Sequence, residues 1–167
     1  MLNKNMSKRA VRFLASACCV LIPSVAMSSG DFPLASCKSW NGTITGMSGV
    51  GSTFATMTGV VTKADIKEYC RRDPGGETVK YGGKLSINSC IRKYMAETGG
   101  VELISTANCK TGALSFKHGK NAAVRASFPL SQDDDVSCAS DMPPLIAQFK
   151  LLCPASPTEC QDDGKCR

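Results

Sequence analysis

Histidine occurs once in this chain, at His118, and tryptophan once, at Trp40. A single imidazole excludes metal sites built on paired histidines, and it leaves a Ser-His-Asp triad dependent on one residue in a turn-forming stretch. Sparse aromatics argue against stacking platforms for single-stranded nucleic acid. No two cysteines stand in a CxxC pair, which disfavours a zinc site. No stretch reaches the length of a membrane span. Gly46 to Gly51 does not follow the phosphate-loop pattern. A concentrated excess of positive charge is also missing. The formal net charge is +6, but Lys4, Lys8, Arg9 and Arg12 supply four of those six charges and lie at the extreme N-terminus. The remainder is close to balanced, against the basic footprint of a nucleic-acid binder.

That N-terminus reads as a secretory signal. MLNKNMSKR is basic, an apolar run from Ala10 to Ala26 follows, and Ser24-Val25-Ala26 offers small residues for cleavage after Ala26. A lipoprotein reading of Cys18 fails because only Ala10 to Leu14 precede its Ala15-Ser16-Ala17 as apolar sequence. Of ten cysteines, Cys18 and Cys19 would leave with residues 1–26. The eight that remain are Cys37, Cys70, Cys90, Cys109, Cys138, Cys153, Cys160 and Cys166. An even number in an exported chain indicates a disulfide framework in the periplasm or outside the cell. Their pairing is open from sequence, except that Cys160 and Cys166 could staple the tail locally around QDDGK.

The centre of the chain is the stretch Val101 to Phe128. Val101, Leu103, Ser105 and Ala107 alternate with Glu102, Ile104, Thr106 and Asn108, as on a pleated strand with two unlike faces. Lys110-Thr111-Gly112 and His118-Gly119-Lys120-Asn121 are turn chemistry. Together they predict a three-stranded meander that needs a layer packed on its apolar face. Upstream, Ser28 to Ser36 reads as a loose polar leader, Cys37 to Thr45 as a strand, and Thr53 to Val61 as its partner across a Gly/Ser loop. Thr62 with Asp65 predicts a helix N-terminus, with the helix running from Lys63 to about Arg71 and ended by Asp73-Pro74-Gly75-Gly76. A second helix is expected from near Ser86 to Glu97, with Ile87, Cys90, Ile91, Tyr94 and Met95 forming its apolar stripe. Leu145 to Leu152 fits a closing strand or a short helix. The fold expected is therefore α+β: a twisted antiparallel sheet or small partly open β-barrel with two short helices, disulfide-stabilised. It spans residues 37–153 as one domain, with 154–167 a polar C-terminal tail.

Thr62-Lys63-Ala64-Asp65, then Glu68-Tyr69-Cys70-Arg71-Arg72-Asp73-Pro74-Gly75-Gly76, Ser89-Cys90-Ile91 and Ala107-Asn108-Cys109-Lys110-Thr111-Gly112 form a recognisable set. As a set, it resembles an uncharacterised small domain of exported alphaproteobacterial proteins. The resemblance covers about a third of the chain and implies export, with no established activity and no catalytic residue to transfer.

Arg71 and Arg72 are the candidate binding residues: two guanidinium groups beside a rigid turn, suited to a carboxylate or phosphate. Cations at a helix C-terminus also simply complement its dipole. Glu68, Asp73, Glu77, Glu97 and Glu102 could include a carboxylate pair for glycoside hydrolysis, though sequence does not place two across a cleft. An even cysteine count in an oxidising compartment leaves no obvious thiol nucleophile. Asp133-Asp134-Asp135 and Asp162-Asp163-Gly164 lack the alternating spacing of a calcium loop. The expectation is a non-catalytic exported module that binds a protein or cell-envelope component. It needs no cofactor and binds no nucleic acid, and its mature chain is not inserted in a membrane. The alternative is a small secreted hydrolase or a hydrolase inhibitor.

Overall fold

The computed structural model describes residues 30–35, 40–131, 133–137, 140 and 142–158. Residues 1–26, read above as a signal, lie outside that range, as do Cys37, Cys138, Cys160 and Cys166 with the local Cys160–Cys166 pairing.

Six strands form one antiparallel sheet in simple sequence order. They are β1 (Asp31–Ala35), β2 (Trp40–Ser48), β3 (Ala55–Val60), β4 (Glu102–Asn108), β5 (Ala113–His118) and β6 (Val124–Ser127). The meander expected from Val101 to Phe128 is β4–β5–β6, paired with Leu103 opposite His118, Ala107 opposite Leu114, and Leu114 opposite Ala126. Three helices pack with the sheet: α1 (Lys63–Arg72), α2 (Ile87–Thr98) and α3 (Met142–Leu152). The class is α+β, and the sheet curls into a half-barrel. Phe32 of β1 and Phe116 of β5 bring their ring centroids within 5.8 Å although three strands lie between them.

Alternation places Ala55 and Met57 of β3, and Leu103, Ser105 and Ala107 of β4, inside the curl. The concave side is filled by α3, whose Leu145, Gln148, Phe149 and Leu152 are buried. Phe149 stacks on Phe128 at 4.2 Å, and the Gln148 amide donates from Nε2 to the Pro33 carbonyl at 2.7 Å. Two glycines make the inner wall thin. A Cβ on Gly59 would stand 2.6 Å from the Phe32 ring, and one on Gly42 would stand 2.6 Å from Leu103 Cδ1. Only a residue without a side chain admits those neighbours.

Helix starts follow the chemistry read from the sequence. Thr62 Oγ1 accepts from the Asp65 N–H while the Asp65 carboxylate accepts from the Thr62 N–H, a reciprocal cap. Ser86 caps α2 by accepting from the Ser89 N–H at 3.1 Å. Cys70–Cys90 ties α1 to α2, and Cys109–Cys153 ties the β4–β5 turn to the end of α3. These two bridges suit an oxidising compartment. Among the described residues no helix is long and apolar enough to cross a membrane.

One expectation is corrected, and one open alternative resolves to the helix. The segment read as a loose leader contains β1, an edge strand paired with β2 whose Phe32 is completely buried. Its proline is accommodated because an edge strand needs only one of its two hydrogen-bonding sides. Leu145 to Leu152 is helical and starts earlier, at Met142, with Pro143 and Pro144 in the first turn, where amide donors have no helical partner anyway. The tail begins packed as well. Thr158 is buried, and its carbonyl accepts from the Leu130 N–H at 2.9 Å.

Candidate functional site

Arg71 and Arg72 end α1 with side chains 70% and 57% exposed, and both engage the same carboxylate. Arg71 Nη2 donates to Glu68 Oε2 at 2.6 Å and Arg72 Nε to Glu68 Oε1 at 2.7 Å. Exposed pairs of this kind contribute only about 0–1 kcal/mol. They do orient both guanidinium groups toward their own helix. The pair therefore presents two cations with one anion between them, rather than a clamp converging on an outside ligand.

The turn after them is rigid for an identifiable reason. Asp73 adopts a left-handed conformation (φ 44°) and is buried. Burial alone would raise its carboxyl pKa. The hydroxyl and N–H of Thr78, with the N–H groups of Glu77 and Gly76, outweigh burial and hold it below the usual carboxylate range. Glu77 in turn faces Lys93 Nζ at 3.2 Å and accepts from Tyr94 Oη at 3.1 Å. Tyr94 sits against Tyr69 and Trp40, with centroids 4.9 and 5.8 Å away. Burial first, then the Tyr69 hydroxyl and the Glu77 charge, push the Tyr94 phenol well above the ordinary tyrosine range. Most residues carrying the sequence resemblance thus cap, cross-link and pack the α1–α2 hairpin. Three of the five candidate carboxylates, Glu68, Asp73 and Glu77, are engaged there. Glu97 and Glu102 are exposed on α2 and β4.

The acidic loop has local partners too. Asp134 accepts from the Ser131 N–H and hydroxyl, and Asp135 accepts from the Ser137 N–H. Asp162 and Asp163 lie outside the described residues. Among those described, no three His, Cys, Asp or Glu side chains gather as metal ligands would.

Two larger concave surfaces are formed by the described residues. One is a cavity of about 350 Å³ where the curled sheet stays open, between β1 and the β5–β6 hairpin. Leu34, Trp40, Phe116, Val124, Pro144 and Leu145 line it with His118 and Asn121. Its volume lies at the low end of the range for small-ligand pockets, and its exposed lining is shared almost evenly between polar and apolar surface. His118, read from sequence as a turn residue, is the last residue of β5 and lies two positions from Phe116 on the same strand face. Its side chain is the only titratable group among the described residues of that lining. The cavity borders β6, the last strand in the sheet order, whose outer edge pairs with no other strand among the described residues. Val124 of β6 is 44% exposed at the cavity.

The other surface is an open trough of about 390 Å³ on the opposite face of the sheet, lined by Phe54, Thr56, Thr106, Asn108, Ser115 and Arg125 among others. Among the described residues, no carboxylate lines either concavity. The sequence reading missed both, since each depends on strands brought together by the curl. The alternation Phe32–Leu34 and the spacing Phe116–His118 were the available signals. No family model, curated protein or solved structure matches this chain.

Proposed function

We propose that this chain is a non-catalytic, disulfide-stabilised exported module that binds an extended protein segment of the cell envelope along β6. One observation supports the reading: a cavity of mixed polar and apolar lining opens directly beside β6, whose outer edge pairs with no other described strand. A strand added to such an edge gains main-chain hydrogen bonds, and a neighbouring pocket selects the alternate side chains that enter it. Val124 is the contact point because it belongs to both the edge strand and the cavity lining. Trp40 and Phe116 would receive an apolar side chain, and His118 and Asn121 would meet its polar end or the backbone. Arg71 and Arg72 take second place, because Glu68 already neutralises half their charge. Hydrolysis finds less support, since among the described residues of the cavity lining no acid or nucleophile accompanies His118.

The test immobilises the mature oxidised protein and challenges it with envelope extract. Val124→Arg, His118→Ala and the Arg71→Ala/Arg72→Ala double variant run in parallel, with melting temperatures as the folding control. Retention lost with Val124→Arg and kept with the double arginine variant is the expected result. Equal retention by Val124→Arg would remove the edge-strand reading. Loss confined to the arginine variant would place the site on α1.

A further inference from the structure

The outer face of the sheet has a chemistry that strand addition does not use. Cross-strand register sets Ser48 opposite Thr56, Thr56 opposite Thr106, Thr106 opposite Ser115, and Ser115 opposite Arg125. This is a continuous row of hydroxyls that ends on a guanidinium. Strands about 4.8 Å apart give the row from β2 to β6 a length of about 19 Å. The hydroxyls of Thr56, Thr106 and Ser115 have no side-chain hydrogen bond to another described residue, and Arg125 has no ion pair among them. A smaller hollow lined by Gly46, Ser48, Thr56 and Thr58 extends the trough toward β2 through their shared Thr56.

Phe54 stands at the rim with 85% of its surface exposed. Its exposure is fixed by the turn that carries it. Gly51 N–H donates to the Leu152 carbonyl at 2.8 Å, Cys109 N–H to the Ser52 carbonyl at 3.0 Å, and Phe54 N–H to Ser52 Oγ at 3.1 Å. The ring is thus held toward water by a pinned backbone. Between the hydroxyls, Ala55, Ala107, Ala113 and Leu114 join Phe54 in the lining, so most of the trough's exposed surface is apolar. That surface offers a face for sugar C–H groups, with donors and acceptors for sugar hydroxyls alongside. Arg125, with no acid among the described residues of the lining, gives that surface a preference for an anionic ligand and suits a carboxylate held bidentately.

We infer that this trough is a binding site for an acidic glycan, a polyhydroxylated chain bearing carboxylates, with Phe54 stacking on a sugar ring and Arg125 holding a carboxylate. It lies on the opposite sheet face from the β6 cavity and stands independently of the function proposed above.

The test titrates the mature protein with soluble polygalacturonate, neutral dextran and polyphosphate. Polygalacturonate is expected to bind most tightly, and Phe54→Ala or Arg125→Ala is expected to weaken it by roughly tenfold each. Arg125→Lys, which keeps the charge and loses the fork, should fall between. Phe54 and Arg125 are exposed, so these variants should melt with the wild type. Val124→Arg should still bind the glycan, which separates failure here from failure of the edge-strand reading. Unchanged affinity in both alanine variants would overturn the inference. So would equal binding of dextran, or polyphosphate binding as tight as polygalacturonate and indifferent to Phe54→Ala.

Discussion

Replacing Phe32 with alanine tests whether the chain ahead of Cys37 belongs to the folded unit. The Phe32 ring has 0% exposure, meets Phe116 at 5.8 Å and rests over Gly59. Phe→Ala in a core costs about 3–5 kcal/mol, and the cost rises when neighbours cannot collapse into the space. Here the floor is a glycine with no side chain to move, so a loss of about 4 kcal/mol is expected. Against a total stability of about 5–15 kcal/mol that is a severe change. For a domain of this size it corresponds to a fall in melting temperature of roughly 12–20 °C. Thermal and urea unfolding of the oxidised mature protein, followed by circular dichroism, reads both quantities. Phe32→Leu, which keeps most of the volume, should lose less than about 1.5 kcal/mol. A loss within about 1 kcal/mol for Phe32→Ala would refute the buried edge strand and restore the loose leader.

The two disulfides among the described residues should differ by the loops they close. Cys109–Cys153 spans 44 residues and Cys70–Cys90 spans 20, so chain entropy assigns them roughly 4 and roughly 3 kcal/mol. Paired alanine substitution should therefore melt the Cys109/Cys153 variant below the Cys70/Cys90 variant, and the reverse order would contradict the entropic account. Asp73 has a folded pKa below its ordinary 3.8, so it stabilises the fold above that value and the contribution is lost as pH falls through the folded pKa. Asp73→Asn should be less stable than wild type at neutral pH, with the gap narrowing on acidification below about 3.8; a gap independent of pH would argue against the carboxylate's role. Tyr94 has the opposite sign. Its contribution is complete below pH 10.0 and declines above it as the unfolded phenol ionises, so Tyr94→Phe should lose less stability than wild type in alkali.

Legibility in the sequence followed the range of the interactions. Thr62 with Asp65 and Ser86 with Ser89 are contacts three residues apart, and both helix starts were readable from composition alone. The β4–β5–β6 meander was also readable, since alternation and turn chemistry are local. Asp31–Ala35 was not, because five residues containing Pro33 look unstructured until β2 supplies a partner. Met142–Leu152 was ambiguous because an apolar run of that length suits a strand or a helix, and its prolines suggested a loop. Arg71 and Arg72 were found as a charged pair, but Glu68 one turn earlier, which decides their availability, was weighed only as a potential catalytic acid. The β6 cavity and the outer trough are products of curvature. His118 gains its setting from Leu34 and Trp40, both far from it in sequence. Phe54 looked like one more apolar residue in a strand until the pinned turn exposed it.

Amide hydrogen exchange along β6 tests the proposed binding mode most directly, comparing the mature protein free and loaded with the envelope fraction it retains. Slowed exchange at Val124–Ser127 and in the adjoining end of β5, with α1 unchanged, is the outcome expected of strand addition. Slowing confined to the end of α1 around Arg71 and Arg72, with β6 exchanging as in the free protein, would contradict it.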